Sequence, residues 1–207
     1  MYSLYLYFLG LSLRNTSKAL TIFKDQKRSY VSVWNWIQKF GSYPIYKRKR
    51  VTAFIIDETV IQIGNQHFWL WIAIEPIHSS VLGIYISEER NMLVAEKNSL
   101  DLLYQTMENI LYIYRWWNMV PRGACSIIGL KHYLHSSTEK SLMERVNQYF
   151  KDRIESFDDY YPCIGNECNL FHVHNWIQFF ISMYNDTSSN KNDFIIKLQE
   201  EVNIILN

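Results

Sequence analysis

Two groups of residues in this 207-residue chain have side chains that do chemistry. The first is an adjacent pair of acids, Asp57 and Glu58, at the end of the run Thr52-Ala-Phe-Ile-Ile56. A carboxylate held rigidly in a sheet suits an oxygen-ligated divalent cation, because Mg²⁺ takes one or two carboxylates together with phosphate oxygens. The second group is Cys163-x4-Cys168-x3-His172-x-His174. Two thiolates and two imidazoles are the right chemistry for tetrahedral Zn²⁺. The spacings depart from the common finger pattern, so zinc is the lesser reading of that block.

The elements around Asp57 read as strands. Thr52, Phe54, Ile55 and Ile56 are β-branched or aromatic, a composition that suits a pleated, enclosed surface. This run is expected to be a buried strand that ends in the carboxylate. A second apolar run, Val60-Ile-Gln-Ile63, precedes a turn at Gly64-Asn65 and the run His67-Phe-Trp-Leu-Trp-Ile-Ala-Ile74. Ser80-Val-Leu-Gly-Ile-Tyr-Ile-Ser87 is the next apolar stretch. Asn91 to about Tyr114 has helical period, with Leu93, Leu100, Leu103, Met107, Ile110 and Leu111 along one face. On the segment Ser137 to Arg153, the residues Glu144, Asn147, Gln148 and Lys151 share a helical face. Asn175 to Asn185 is an apolar helix, residues 186–192 read as a polar linker, and Phe194 to Leu206 as an appended helix.

The amino-terminal residues read as three short helices. Tyr2 to Leu9 is the first, and Gly10 ends it. Ser12 is placed to cap a second helix over Leu13–Leu20, and Ser29 a third over Tyr30–Phe40. Val33, Trp36, Ile37 and Phe40 repeat at helical spacing and form its expected buried face. Two helices and a turn, with polar residues on the outer face of the second, make a helix-turn-helix. Arg14, Lys18, Lys27, Arg28, Ser32, Asn35 and Lys39 are its candidate DNA contacts. The stretch Gly41 to Arg50 reads as a linker. Its run Lys47, Arg48, Lys49 and Arg50 can neutralise about four phosphates in a salt-sensitive, sequence-independent way.

Bulk composition narrows the class. Hydrophobic residues make up 48% of the chain, enough for a real core. The net charge of +1 carries no global basic signal, so any nucleic-acid contact must be local. Three cysteines, an odd number, argue against a disulfide framework and fit a reducing cytoplasm. The apolar start, Met1 to Leu9, lacks a basic n-region and a small-residue cleavage site, and it is too short to span a bilayer.

The segment Asp57-Glu-Thr-Val-Ile-Gln-Ile-Gly-Asn-Gln-His-Phe-Trp-Leu-Trp-Ile-Ala-Ile74 resembles the first catalytic block of DDE-type insertion-sequence transposases, of the integrase superfamily. Gly10-Leu-Ser-Leu-Arg14 resembles the entry to their helix-turn-helix, and Ser87 with Arg90 matches a later motif. Met143-Glu-Arg-Val-Asn-Gln-Tyr-Phe-Lys-Asp-Arg153, followed by Phe157-Asp-Asp-Tyr-Tyr-Pro162, resembles their last catalytic helix, and Tyr184-Asn185 the end of their closing helix. These matches cover most of residues 8 to 185. The resemblance implies an α/β fold, a ribonuclease-H-like mixed sheet flanked by helices, preceded by the all-α helix-turn-helix. It implies a helix-turn-helix region over 1–42, a basic linker over 43–50, a catalytic core over 51–185 and a tail over 186–207. Asp57 and Glu144 match the first and third acids, which would be both catalytic residues and ligands of Mg²⁺ or Mn²⁺. Arg145, Lys151 and Arg153 would touch the DNA backbone. The implied partners are double-stranded DNA, as terminal repeats and target, and further copies of the chain when active. No membrane role is implied. Glu75 stands where the family often has an acid, but solvation at a turn is the preferred reading.

The pattern breaks once. The family has a strand ending in a second Asp, then a Gly-Gly turn. This chain has Ile113-Tyr-Arg-Trp-Trp-Asn-Met-Val-Pro121, with no acid between Asn109 and Glu139. Reverse translation offers a cause. With Arg115 as AGA or CGA, Asn118 as AAC and Val120 as GTA, the bases read one position later spell Asp-Gly-Gly-Thr-Trp-Tyr. The Gly-Gly and Trp are forced by the single codons for Trp and Met. A frameshift, restored near Ala124 to His132, accounts for the lost Asp. A CGC codon at Arg115 is incompatible with it. Three readings follow: a transposase in which Glu58 or Asp101 replaces the missing acid, a catalytically inactive DNA-binding remnant, or a cytoplasmic structural module with no DNA role. His132 and His135 could stand near the site, but surface histidines are the preferred reading.

Overall fold

In the computed structural model, residues 2–42, 53–63, 66–90, 112–115, 131–134, 137–155 and 169–189 are described. Three helices come first: α1 (Tyr2–Phe8), α2 (Leu13–Lys24) and α3 (Tyr30–Gly41). Five strands follow, β1 (Ala53–Ile63), β2 (Gln66–Glu75), β3 (Ser80–Ser87), β4 (Tyr112–Arg115) and β5 (Lys131–Leu134). Two long helices close the order, α4 (Ser137–Glu155) and α5 (Leu170–Ser189). The fold is mixed α/β.

The strands form one sheet in the order β3-β2-β1-β4-β5. β1 runs antiparallel to β2, and β2 to β3. β4 joins the other side of β1 in parallel, and β5 lies parallel to β4. Parallel neighbours need long crossover connections, whereas antiparallel ones are joined by tight turns. The chain spacing follows this rule, with short gaps between β1, β2 and β3 and long ones before β4 and β5.

Two expectations about this sheet are corrected. From Ala53 onward, the expected first strand and Val60–Ile63 are not two strands separated by an acid. They merge into β1, which passes straight through Asp57 and Glu58, because the ladder to β2 is unbroken from Ile55↔Ile74 to Ile63↔Gln66. The backbone hydrogen bonds of a continuous ladder outweigh the poor strand preference of two acids. The expected helix over residues 91–114 also fails at its end, since Tyr112–Tyr114 belong to β4. The rest of that stretch, with its six apolar positions and Asp101, lies outside the described residues, as do Gly64-Asn65 and the appended helix over 194–206.

The amino-terminal helices begin as the caps dictate. Ser12 Oγ accepts the Asn15 amide at 3.2 Å, and Ser29 Oγ accepts the Ser32 amide at 3.1 Å. α2 runs further than expected, to Lys24, and stops where Asp25 takes the left-handed conformation. Of the expected buried face of α3, Val33 and Ile37 are fully enclosed, whereas Trp36 and Phe40 pack at the margin of the core.

α5 is the centre of the core. Val173, Trp176, Ile177, Phe179, Phe180 and Ile181 on it are all fully buried. A helix apolar nearly all round must be covered on several sides. One apolar cluster joins it to Leu4 and Tyr7 of α1, Val33 and Ile37 of α3, and Ile55, Leu70 and Ile72 of the sheet. Buried polar groups at this junction are paired. Trp176 Nε1 donates to Tyr7 Oη at 2.8 Å, Asn175 Nδ2 to Gln38 Oε1 at 3.2 Å, and Gln38 Nε2 to the His172 carbonyl at 3.1 Å. Gly41, expected to open the linker, instead ends α3 in van der Waals contact with α5. A Cβ there would lie 1.8 Å from the Asn175 carbonyl oxygen.

At its far end α5 holds the edge strand. Asn185 Oδ1 accepts the Val81 amide at 2.9 Å, and its Nδ2 donates to the Val81 carbonyl at 2.8 Å. The side-chain amide thus copies the pairing of a neighbouring strand.

Two outcomes follow from these contacts. Gly41→Ala forces α3 off α5 against backbone atoms and lowers stability by at least about 3 kcal/mol, beyond ordinary overpacking, read from denaturant unfolding. Asn185→Ala strands two backbone groups of β3 and costs about 1–3 kcal/mol, read as a fall in Tm.

Candidate metal-binding and catalytic site

Asp57 lies in the middle of β1, on the face shared by Ile55, Thr59, Ile61 and Ile63. Its partner on β2 is Ile72, which is fully buried. Helix α4 packs on this face through Leu142, Met143, Val146 and Phe150, a stripe at helical spacing. That packing delivers Asn147 to the acid: Asn147 Nδ2 donates to Asp57 Oδ2 at 3.1 Å. Glu144 stands one turn earlier on α4, and residues three apart on a helix are neighbours. Glu144 is exposed and 3.8 Å from Lys140 Nζ, a surface pair worth little. The helix bearing Glu144 is therefore seated directly on the strand bearing Asp57.

The donor set suits a hard cation. The carboxylates of Asp57 and Glu144 are oxygen donors, the type that favours Mg²⁺ or Mn²⁺ over softer metals. Asn147 Oδ1 is buried and takes no hydrogen bond, an unusual state for a native amide. Among the described residues no three His, Cys, Asp or Glu side chains come together.

β4 lies parallel beside β1, with Arg115 in register with Ile56, the residue before Asp57. The carboxyl end of β4 thus comes level with the acid. Arg115 opens the segment in which the shifted codons spell Asp-Gly-Gly. Residues 116–130, which hold the rest of that segment and most of the restoring stretch, lie outside the described residues, as does His135, whereas Lys131 and His132 begin β5.

Glu58 does not join Asp57. Successive strand residues face opposite ways, and Glu58 is engaged on the other face. Its Oε1 accepts Arg90 Nη2 at 2.6 Å and Nε at 3.0 Å, while the guanidinium lies 4.8 Å from the centre of the Trp69 ring. Ser87, the other residue of the Ser-x-x-Arg match, accepts Trp71 Nε1 at 2.9 Å and donates to the Glu89 carbonyl at 2.9 Å. Both motif residues thus tie the end of β3 to the face away from Asp57. Glu75 serves a turn, as preferred, but is buried rather than solvated. Its carboxylate accepts the amides of Ile77 and His78 at 2.7 Å each and pairs with His78 Nδ1 at 2.8 Å.

The candidate DNA contacts are spread widely. Arg14, Lys18, Lys27, Arg28, Asn35 and Lys39 are exposed on or between α2 and α3, with Arg14 5.5 Å from the Tyr30 ring centre. Ser32 is half-buried, and its hydroxyl pairs with Ser29 Oγ at 3.1 Å inside the helix cap. Arg145 and Lys151 are exposed on α4, where Arg145 Nε donates to the Ser141 carbonyl at 3.3 Å. Arg153 is in the last turn of α4, and Lys47, Arg48, Lys49 and Arg50 lie outside the described residues. Asn147 is the residue that sequence reasoning placed on the right face without giving it a role. Its signal was its position one turn after Glu144.

The zinc reading weakens at its histidines. His172 and His174 both lie on α5, two residues apart, which sets them about 200° apart around the helix. His172 meets the edge of Trp34, and His174 Nε2 is 3.3 Å from Gln178 Nε2. Cys163 and Cys168 lie outside the described residues.

Burial holds the His174 pKa below its ordinary 6.5. In the unfolded chain the ring takes a proton at higher pH than in the fold. Stability is thus intact above about pH 6.5 and declines as pH falls below it. The Tm of the protein falls between about pH 7.5 and pH 5.5 more steeply than that of His174→Phe, which lacks the group.

No family model matches the chain. It is 27% identical over 184 residues to an uncharacterized protein of Methanocaldococcus jannaschii, spanning 87% of this chain and 82% of that one. Among solved structures it is similar to a chain of the simian T-cell lymphotropic virus intasome in complex with PP2A regulatory subunit B56 gamma. The TM-score is 0.48 at 15% identity, over 85% of this chain and 67% of that one. It is also similar to the catalytic core domain of BIV integrase, at TM-score 0.45 and 16% identity over 73% of this chain and 97% of that one. A third similarity is to the HTLV-2 integrase catalytic core domain in complex with magnesium, at TM-score 0.42 and 13% identity over 54% and 75%.

Proposed function

We propose that this chain is a DDE-type insertion-sequence transposase of ribonuclease-H-like fold, a DNA-recombination protein whose strand-transfer chemistry is impaired by loss of its second Asp. The observation that carries the reading is the hydrogen bond from Asn147 to Asp57. It seats the helix carrying Glu144 on the strand carrying Asp57, the pairing that the sequence blocks require. The parallel strand β4, ending beside Asp57 where the family's second acid stands, supports it further.

Asp57 and Glu144 would hold the divalent cation. When bound, such ions supply Lewis acidity at a phosphodiester, activating water or a 3′-hydroxyl and stabilising the leaving oxygen. The chain's own part is positional. Asn147 fixes the Asp57 carboxylate, and the apolar stripe of α4 fixes the helix against β1. The α2–α3 pair would act as a helix-turn-helix reader of terminal repeats, with Arg14, Lys18, Lys27, Arg28, Asn35 and Lys39 toward the duplex. Lys47, Arg48, Lys49 and Arg50, with Arg145, Lys151 and Arg153, would neutralise phosphates. The protein would act in the cytoplasm on double-stranded DNA, as a homo-oligomer when active.

The engagement of Glu58 by Arg90 on the opposite face favours a second reading, a DNA-binding remnant without catalysis, because Glu58 does not replace the missing acid. Strand cleavage of duplexes carrying the DNA that flanks the gene, in Mg²⁺ or Mn²⁺, separates the two. Under the first reading the chain binds these duplexes in a gel shift and nicks them slowly. Asp57→Asn and Glu144→Gln abolish the nicking, and a gene with the frame restored through Arg115–Val120 nicks them roughly 100-fold faster, about 2.7 kcal/mol of barrier. Binding with no cleavage, before and after restoration, leaves the remnant. No binding overturns both.

A further inference from the structure

We infer that Asn147 is itself a ligand of the cation, its side-chain oxygen taking a place left by the missing acid. The inference rests on the proposal that Asp57 and Glu144 form a metal site, and it deepens that proposal.

The geometry points to it. Asn147 Nδ2 stands 3.1 Å from Asp57 Oδ2. In an octahedral Mg²⁺ site with bonds of 2.0–2.1 Å, two adjacent ligand oxygens are separated by √2 times that length, about 3 Å. Turning the Asn147 amide by half a rotation exchanges its nitrogen and oxygen, which differ little in shape. Oδ1 then occupies the place of Nδ2, at the edge length such a site demands. With no cation between them, the same spot favours the N–H, because an amide oxygen facing a carboxylate oxygen is repelled.

The turn gives up one hydrogen bond and moves the amide nitrogen into the buried place of the oxygen, a cost that the contact with the cation has to offset. Asn147 Oδ1 is buried and accepts no hydrogen bond, so the rotation breaks only the bond to Asp57. An amide anchored at both ends, like that of Asn185 on Val81, lacks this freedom. The neighbours agree in chemistry. Glu144 is one turn away on the same helix, and Glu58, the other acid on this part of β1, is bound to Arg90 on the far face. A carbonyl-type oxygen is an accepted ligand for a hard cation but brings no charge, so the site binds more weakly than one with three carboxylates.

The test is Mn²⁺ binding by the full chain, followed by loss of the free-ion electron paramagnetic resonance signal and by calorimetry, with folding checked by circular dichroism. The protein, Asp57→Ala, Glu144→Ala, Asn147→Ala and Asn147→Asp are compared. The inference expects Asn147→Ala to weaken Mn²⁺ by about tenfold or more, as the acid variants do. It expects Asn147→Asp, which keeps an oxygen and loses the N–H, to bind at least as tightly as the parent. Parent-like affinity in Asn147→Ala, with weakened Asp57→Ala, overturns the inference and leaves the two-acid site standing. Weak binding in Asn147→Asp makes the N–H the essential group and also overturns it, and this variant decides should Asn147→Ala fail to fold. Parent-like affinity in both acid variants, or no binding by the parent, removes the metal site altogether.

Discussion

The requirement to cover α5 organises this protein. A helix with Trp176, Phe179, Phe180 and Ile181 fully enclosed has almost no face fit for water. It is therefore packed against the sheet on one side and against α1 and α3 on another, within one apolar cluster. Burying apolar surface on this scale is the dominant favourable term in folding. The polar groups caught at the junction are matched in pairs, such as Gln38 with Asn175 and Tyr7 with Trp176. Left unmatched, each would cost more than its hydrogen bond contributes. The close crossing at Gly41 shows how little slack the arrangement has.

Against that background, Asp57 is an anomaly that needs a reason. It occupies the core-facing side of a central strand, in line with Ile55 and Ile61 and opposite Ile72. An apolar residue there would extend the core. A carboxylate there is costly unless it is hydrogen-bonded or meets a cation. Asn147 supplies part of that compensation, at the point where α4 crosses β1. The same crossing sets Glu144 nearby but in solvent. The Asp57 carboxylate is thus held on a rigid strand by a group on a rigid helix.

The two acids that adjoin in sequence have opposite fates for a simple geometric reason. Strand alternation sends Asp57 to the helix-covered face and Glu58 to the other, where Arg90 and Trp69 enclose it. The Glu58–Arg90 pair closes the end of β3 back onto β1 and gives the Ser-x-x-Arg segment a structural role. Glu75 is similarly consumed, by the two amides of the turn that it closes. Of the acids singled out around β1 and β2, Asp57 is the one directed at α4.

The residues alone determined a good deal. Serine caps set the starts of α2 and α3, because a side-chain acceptor three residues before an amide is a local matter. Apolar runs set β2 and β3, and helical period set α4 and the apolar core of α5. The same residues singled out Asp57 and Glu144 as candidates, through the resemblance of their blocks. What they left open depended on contacts distant in the chain. That β1 continues through two acids was decided by its ladder to β2, and that Tyr112–Arg115 is strand was decided by its pairing with β1. Local preference is worth a fraction of a kcal/mol per residue, and a shared ladder overrides it. The role of Asn147 was hidden for the same reason. It arises only when α4, ninety positions along the chain, is laid across Asp57.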